Sequence, residues 1–347
     1  MKKVLIVFLL CMGLIAVTAC STETGDKTNN EQKEATKAEV KKIRAGVGIT
    51  SEHPQYQGLL KFKELVEERT NGEIVVDTFH SGQMGDDRTM MESLQLGSLE
   101  VALPSTAPVA NFIPEFSVFE FPFLFPSQDV ANTVLYGEVG QQFLDMLQTQ
   151  NMVGLAYWED GFRNVTNSKR EIATLEDLKG LSIRTMENDL HIDAFRALGV
   201  NPTPMAFTEL FTAMQQKTID GQENPFATIY YEKFNEVQGY VSNTQHINSR
   251  QVFIVSKMFF DDLTEEQQQI VREAAIEAGE YQGKLIREKS QYYLEELQKR
   301  GMVYTEISEE ERNKMREAVQ PVIDKYAKKI GEDLVQEVYD AIEAATQ

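Results

Sequence analysis

The sequence predicts an α/β protein with two lobes, each a mixed sheet flanked by helices. At 347 residues and 42% hydrophobic composition, the chain can bury one large core or two smaller ones. Short alternating runs, which are typical of strands, take turns with helical spacings from residue 43 onward. One helical run, 264–300, is long enough at about 1.5 Å per residue to span two lobes.

The predicted elements begin with a β-α-β unit. Strand 43–49 leads into a helix that Asn71 and Gly72 end, and strand 73–79 follows. Asp86 is the expected N-cap of the next helix, and its neighbours Asp87 and Arg88 are expected to complement the helix dipole or pair on the surface. The aromatic residues of 114–125 are expected to fill the core rather than form a platform for a sugar. The other predicted elements are strands 99–103, 152–157, 181–183, 218–222, 240–242, 251–255 and 302–306, and helices over 130–147, 190–198, 208–214, 227–234, 264–300 and 309–345.

The first twenty residues have the pattern of an export signal. Two lysines precede an apolar run, 4–17, and small residues precede Cys20. The run is shorter than the roughly 20 residues that a membrane span needs. Residues 17–20 look like a bacterial lipobox, which implies a lipid on the cysteine. We therefore predict a signal peptide over 1–19 and an extracytoplasmic protein anchored to the cell membrane through Cys20.

The composition of the mature chain limits its partners. Residues 20–42 lack aromatic side chains and are predicted to be a flexible tether. Cys11 falls within the predicted signal peptide, so one cysteine remains and an intrachain disulfide is excluded. The formal net charge of −20 argues against nucleic acid as a partner. It would also repel a small anion at long range, so an anion site would need locally oriented arginines.

The stretch 181–226 holds the densest set of candidate binding residues. A short strand delivers Arg184 to the start of a helix, which Gly199 and the prolines beyond it end. Phe207 and Asn224 lie at the next two junctions between elements. Ligands of α/β proteins collect at such junctions, and a planar guanidinium donates two parallel hydrogen bonds to a carboxylate. These residues predict a site for an organic acid.

The same stretch is similar to the extracytoplasmic solute-binding subunits of tripartite ATP-independent periplasmic (TRAP) transporters, the DctP family. The resemblance implies a two-lobed fold like that of periplasmic binding proteins, with a long helix spanning both lobes. It implies a small organic acid as ligand, TRAP membrane subunits as partners, closure of the lobes by a hinge motion, and no cofactor. The similar residues are Arg184, the turn 201–207, Gln215, Gln216 and 220–225, with weaker similarity from about residue 43 to the C-terminus.

The resemblance also implies roles for individual residues. Arg184 is the expected carboxylate anchor, and Arg163 is expected to make a second contact with the same carboxylate. Asn224 can donate and accept a hydrogen bond, and Phe207 would close an apolar side. The structural alternative for Arg184 is a buried ion pair with Glu187 or Asp220.

Glu187 and Asn188 are predicted to accept hydroxyl groups of the ligand. A carboxylate at position 187 would repel the far carboxylate of succinate, so we favour a hexuronate or a related sugar acid. A C4-dicarboxylate or another monocarboxylate stays open, as does a ligand-dependent sensor for a membrane receptor. The sialic-acid-binding branch of the family has a Glu and an Arg in the loop after strand 99–103, where this chain has no charge and offers Ser105 instead.

Four further residues are candidate ligand contacts, and for two of them a structural role is also possible. His53 and Gln57 follow the first strand, where His53 either contacts the ligand or caps the helix that begins at Pro54. Trp158 and Glu159 precede the second arginine, and the tryptophan either lines the cleft or belongs to the core.

The predicted lobes are discontinuous in the chain. We assign 43–160 and about 250–288 to lobe I, and 161–249 and about 289–347 to lobe II. The sequence contains no G-x-S-x-G, no H-E-x-x-H, no P-loop, no dinucleotide glycine pattern and no calcium-loop spacing. We therefore expect a monomeric binding protein that is not an enzyme and holds no metal.

Overall fold

Two sheets organise residues 40–347, which are the part of the chain that the computed structural model describes. The predicted signal peptide, Cys20 and the tether up to residue 39 lie outside these residues. The first sheet contains β1 (Lys41–Gly46), β2 (Ile74–Phe79), β3 (Val101–Ala102), β4 (Met152–Phe162) and β10 (Asn248–Ser256), in the order β2-β1-β3-β10-β4. The second contains β5 (Asn164–Asn167), β6 (Ser182–Thr185), β7 (Asn201–Pro204), β8 (Gly221–Asn224), β9 (Tyr240–Asn243) and β11 (Val303–Glu306), in the order β11-β9-β5-β8-β6-β7.

Helices cover both sheets. In chain order they are α1 (Pro54–Arg69), α2 (Asp87–Gln95), α3 (Thr106–Val109), α4 (Gln128–Leu135), α5 (Glu138–Met146), α6 (Leu175–Leu178), α7 (Asp189–Ala197), α8 (Phe207–Gln215), α9 (Phe226–Tyr231), α10 (Lys257–Asp261), α11 (Glu265–Lys299), α12 (Glu309–Ile330) and α13 (Glu332–Thr346). The structure also contains three short 3-10 turns: Pro114–Glu120, Leu147–Gln150 and Phe234–Glu236. Within residues 40–347, no helix is both long enough and apolar enough to span a membrane.

The two lobes are joined where the longest strands end. β4 and β10 pair antiparallel along nearly their whole length, and both are buried almost throughout. Beyond Phe162 the chain crosses into β5 of the second sheet, and the backbone N–H of Arg163 donates to the carbonyl of Ile247 on the returning segment (2.9 Å). Arg163 therefore lies at the crossing between the lobes.

Helix α11 contacts both lobes, as predicted. It packs against α1 and β4 in the first lobe and against α9 in the second. Its N-terminus is capped by Thr264, which exchanges hydrogen bonds with Gln267 in a capping box. The C-terminal helices α12 and α13 also contact elements of both lobes, namely α7, α4 and the turn Pro114–Glu120. The predicted limits of the lobes remain a prediction.

Trp158 belongs to the core and not to the cleft. Its side chain is fully buried, and its Nε1 donates to the carbonyl of Ala275 on α11 (2.9 Å). Glycines at 58 and 279 make room for the indole, because a Cβ at either position would lie within 2.7 Å of the ring. Glu159 is likewise buried, and it accepts hydrogen bonds from Arg287 and Asn132. The aromatic side chains of 116–121 are core residues, as predicted.

Local structure differs from the sequence-based expectation in several places, and three of these differences have a clear physical cause. β1 begins at Lys41 rather than residue 43, because Lys41 and the next residue pair in register with β2. The helical run 130–147 is divided at Gly137 into α4 and α5. β7 was not expected because two of its four residues are prolines, which lack an N–H. It lies at the edge of the second sheet, where prolines are tolerated.

Candidate ligand-binding cleft

A cleft between the two lobes is lined by both of them. It contains about 610 Å³ of empty space, including the part that opens to solvent. The first lobe contributes Gly48, Ile49, Gln55, Asp86, Asp87, Leu103, Ser105, Pro108 and Gln251. The second lobe and the crossing contribute Asp160, Arg163, Arg184, Met186, Glu187, Met205, Ala206, Phe207, Asn224 and Thr228.

Arg184 presents an unpaired guanidinium to the cleft. It stands at the end of β6 and is 3% exposed. Its Nε donates to the carbonyl of Met205 (2.9 Å), whereas its buried Nη1 has no hydrogen-bond partner among the described residues. Burial lowers the pKa of Arg184 to about 10, although the charge of Glu223 acts in the opposite direction, so the side chain is a cation at neutral pH.

The alternative of an ion pair for Arg184 is not found. Within residues 40–347 no carboxylate lies within 4.0 Å of its guanidinium nitrogens. Asp220 instead accepts from the backbone N–H of Ser182 and pairs with Lys169. The backbone carbonyl of Glu187 accepts from Asn111 (2.7 Å), and Glu187 lines the cleft.

Arg163 is held by the protein itself, and its expected second contact with the carboxylate of the ligand stays a prediction. Its Nη2 donates to Oε1 (2.8 Å) and to the carbonyl oxygen (2.6 Å) of Glu223, and its Nε donates to Oε2 of the same carboxylate. Nη1 donates to the hydroxyl of Ser249 (3.2 Å). Both members of this ion pair are buried. Arg163 lines the cleft, but most of its hydrogen-bonding capacity is already used.

His246 completes the buried charge cluster. Its Nε2 lies 3.1 Å from Oε2 of Glu223, and its Nδ1 lies 2.8 Å from the hydroxyl of Thr244. Burial lowers the pKa of His246, so the ring is neutral at pH 7 and its Nε2 donates to the carboxylate. Burial by itself raises the pKa of Glu223, but the charge of Arg163 and the hydrogen bond from His246 outweigh it and hold that pKa well below its ordinary range.

Asn224 and Phe207 line the cleft at the positions that the sequence predicts. The Nδ2 of Asn224 donates to the amide oxygen of Gln222. Phe207 belongs to the second lobe, yet it approaches the first. A Cβ added to Gly48 would lie 3.8 Å from the phenylalanine ring and 4.0 Å from Oδ1 of Asp87. The two lobes therefore meet over the cleft beside Gly48.

Asp87 lies in the first turn of its helix, as its predicted role beside the helix dipole requires, and it also lines the cleft, which was not expected. It occupies the first turn of α2, and its Oδ2 accepts from the backbone N–H of Ser105 (3.1 Å). Burial raises the pKa of Asp87 to about 6, and the hydrogen bond from Ser105 opposes that rise. The only signal in the sequence was the pair of acids at 86 and 87, of which one suffices as N-cap. Gln251, Gln55, Thr228 and Asp160 also line the cleft and were not predicted.

His53 and Gln57 do not line the cleft. The Nδ1 of His53 accepts from the backbone N–H of Gln55 (3.1 Å) and caps α1, while its Nε2 lies 3.3 Å from the hydroxyl of Thr228 on the second lobe. The amide of Gln57 donates to the carbonyl of Ser51 (2.8 Å) within the loop. Capping the helix turns the histidine away from the ligand space, so the alternative of a cap is the correct one.

Asn188 also faces away from the cleft, although the neighbouring Glu187 lines it. Its side chain accepts from the backbone N–H groups of Leu190 and His191 and so caps α7. Its Nδ2 donates to the carbonyl of Ala107 (3.0 Å) on the other lobe. Of the predicted contacts, Arg184, Arg163, Asn224, Phe207, Glu187 and Ser105 line the cleft, whereas His53, Gln57, Asn188, Trp158 and Glu159 do not. In the part of the chain that is described, no three His, Cys, Asp or Glu side chains are grouped as metal ligands.

Asp87→Asn is expected to flatten the pH dependence of stability between about pH 4 and pH 6. Because the folded pKa is about 6, the folded protein keeps a proton that the unfolded chain has released, so stability falls as pH rises through this window. At pH 7 the variant is expected to be more stable by up to about 3 kcal/mol, reduced by the solvent that still reaches the carboxyl through the cleft. Urea denaturation at several pH values measures this. Asp129→Asn, at an exposed position in the first turn of α4, is the control; equal curves for Asp87→Asn and the wild type would contradict the assignment.

Two α/β lobes that are joined by crossing strands and enclose a buried, unpaired guanidinium define the class of two-lobed solute-binding proteins. The particular family follows from sequence comparison. The profile of the DctP family, described as bacterial extracellular solute-binding protein, family 7, matches residues 45–329. The chain belongs to this family of TRAP transporter solute-binding proteins, which confirms the resemblance and the predicted fold.

Solved structures of similar proteins hold small organic acids. The sugar-acid-binding protein DctPAm of Advenella mimigardefordensis, in complex with galactonate, is 42% identical with a TM-score of 0.86, covering 88% of this chain and 98% of that one. A TRAP periplasmic solute-binding protein of Polaromonas sp., bound to D-erythronate, is 37% identical with a TM-score of 0.83, covering 86% and 98%. One from Sulfurospirillum deleyianum, with bound succinate, is 30% identical with a TM-score of 0.82, covering 86% and 98%.

Proposed function

We propose that this solute-binding protein captures a polyhydroxylated monocarboxylic acid, a hexuronate or a related sugar acid, and delivers it to a TRAP-type transporter. The observation that carries the proposal is the single unpaired guanidinium of Arg184 in the cleft. A carboxylate accepting two parallel hydrogen bonds is the natural partner of such a group. Arg184 is the carboxylate anchor in this proposal, and Asn224 and Phe207 contact the same end of the ligand.

The charges around the cleft favour one carboxylate over two. Arg163 is balanced by Glu223, so Arg184 alone is available to offset a charge on the ligand. The other charged groups of the lining are acidic: Asp86, Asp87, Asp160 and Glu187. A second carboxylate on the ligand would lie among them and be repelled.

Neutral and acidic groups of the lining suit hydroxyl groups. Ser105 donates to the amide oxygen of Gln251 (3.2 Å), which leaves the amide N–H groups of that glutamine for a ligand oxygen. The carboxylates of Asp87 and Glu187 accept hydrogen bonds from hydroxyls. The galactonate and D-erythronate in the two most similar structures described above are polyhydroxylated monocarboxylates, which supports the proposal. A C4-dicarboxylate is the second candidate, because one relative at 30% identity holds succinate.

The proposal also includes the location and partners of the protein. The mature protein is a monomer without enzymatic activity, and a lipid on Cys20 tethers it outside the cytoplasm beside its membrane subunits. A sensor that feeds a membrane receptor would use the same cleft and differ only in its partner. Growth on the captured acid, lost when the gene for the binding protein is deleted, separates the transporter from the sensor.

A thermal-shift screen tests the choice of ligand. The mature protein carrying Cys20→Ser is expected to melt at a higher temperature with glucuronate, galacturonate or galactonate, because a ligand that binds only the native state stabilises it by about 2.7 kcal/mol at 100 times its Kd. Succinate at the same concentration is expected to have little effect. Stabilisation by succinate and by no sugar acid would replace the sugar acid with a C4-dicarboxylate.

A further inference from the structure

The loop after β1 is attached directly to helix α9 of the opposite lobe. The carboxylate oxygen Oε1 of Glu232, at the C-terminal end of α9, accepts from the backbone N–H of Thr50 in the first lobe (2.8 Å). Thr50 follows Gly48 and Ile49, which line the cleft. Glu232 itself does not line the cleft, but its hydrogen bond fixes the segment that does.

A second bond joins the same two elements. His53 is buried, and burial lowers its pKa to about 3, so its ring is neutral. Because Nδ1 accepts from the backbone N–H of Gln55, the ring proton resides on Nε2, which therefore donates to the hydroxyl of Thr228 on α9 (3.3 Å). The ring of His53 also packs edge-on against Tyr231, with 5.6 Å between ring centroids. Thr228 lines the cleft from the second lobe.

Both bonds cross between the lobes, because each joins a first-lobe loop to a second-lobe helix. A hinge motion that moved the loop away from the helix would break both of them. The apparent affinity for a ligand that binds the closed form rises with the fraction of protein that is closed. Groups that hold the lobes together thus increase affinity without contacting the ligand.

We propose that Glu232 and His53 are positioning residues that clamp the loop 48–53 onto α9 and thereby hold the cleft closed on the bound acid. The inference rests on the proposed function, since it concerns the affinity of the same site. Glu232 makes the stronger of the two bonds, because hydrogen bonds to a charged acceptor exceed neutral ones. Burial raises the pKa of Glu232, which agrees with a carboxylate drawn out of water by the closing lobes.

The test compares Glu232→Ala with the wild type in binding a sugar acid that stabilises the wild type in the screen above. Isothermal titration is expected to show binding about tenfold to hundredfold weaker, and stopped-flow kinetics to place most of the loss in faster release. Glu232→Gln keeps an acceptor oxygen for the N–H of Thr50, so its affinity is expected to return to within a few fold of wild type. His53→Asn keeps a side-chain cap for α1 and removes the ring that reaches Thr228, and about two- to tenfold weaker binding is expected.

The controls separate a clamp from a general loss of structure. Glu236→Ala removes an exposed carboxylate four positions further along and is expected to bind like the wild type. The ligand-free melting temperature of Glu232→Ala is expected to match the wild type, since the open protein does not make the bond, while its ligand-induced shift shrinks. Equal affinity of Glu232→Ala and the wild type, or an equal loss in Glu236→Ala, overturns the clamp. A wild type that binds no sugar acid overturns the proposed function instead.

Discussion

Arg184→Ala is expected to abolish measurable binding of the organic acid while leaving the protein folded. Truncating one partner of a buried charged pair costs about 2–5 kcal/mol, which corresponds to at least a 30-fold increase in Kd. Within residues 40–347 the guanidinium donates one hydrogen bond, to the carbonyl of Met205, and its Nη1 has no partner. Its removal therefore disrupts little of the protein's own structure. Isothermal titration with the stabilising acid measures the loss.

Two further variants define what the guanidinium contributes. Arg184→Lys keeps the charge but cannot donate two parallel hydrogen bonds, so binding is expected to stay at least tenfold weaker than wild type. Arg196→Ala removes an exposed arginine of α7 that pairs with Asp193, and its binding is expected to be unchanged. Wild-type affinity in Arg184→Ala would exclude this residue from the site. Wild-type affinity in Arg184→Lys would show that the positive charge alone, without the two parallel hydrogen bonds, accounts for binding.

Glu223→Ala is expected to lower the free energy of unfolding by about 3–5 kcal/mol, the cost of leaving a buried charge without its partner. The carboxylate accepts two hydrogen bonds from the side chain of Arg163 and one from His246, and all three side chains are buried at the crossing between the lobes. Urea denaturation followed by circular dichroism measures the loss. Glu176→Ala breaks an exposed pair with Lys179 and is expected to cost less than about 1 kcal/mol.

The same variant should lose part of its sensitivity to acid. Because the pKa of Glu223 is held below its unfolded value, its contribution is present above about pH 4.3 and is lost as pH falls further toward the folded pKa. The stability of Glu223→Ala is therefore expected to fall less steeply than that of the wild type below pH 4. A loss as small as that of Glu176→Ala, or an unchanged acid limb, would contradict a structural role for the ion pair.

Three of the predicted residues that line the cleft share one property. Arg184, Phe207 and Asn224 all lie at junctions where a strand or helix ends, within one stretch of about 40 residues. The order of alternating and helical patterns places such junctions at one edge of a sheet, whatever the rest of the chain does. Their approach to a common cleft could therefore be predicted without knowing how the lobes pack.

The residues whose surroundings the sequence did not predict have partners far away in the chain. The sequence did not decide whether Trp158 lies in the core or lines the cleft. The glycines that make room for its ring, at positions 58 and 279, are about 100 residues away on either side. The position of Asp87 beside the cleft was not predicted, because its neighbour across the cleft, Arg184, comes about 100 residues later in the chain. The partner of Arg163 could not be chosen among many acids by spacing alone, since Glu223 lies 60 positions away.

Local pattern, together with the resemblance to the DctP family, predicted a two-lobed α/β protein with an arginine at the end of a strand, because strand and helix periodicity and the residues at their ends are properties of short segments. Only the tertiary structure decided which of two arginines is unpaired, which acids line the cleft, and that His53 and Glu232 fasten one lobe to the other. The physical reason is that pairing and burial are settled by contacts between segments distant in the chain, and those contacts exist only once the two sheets have packed.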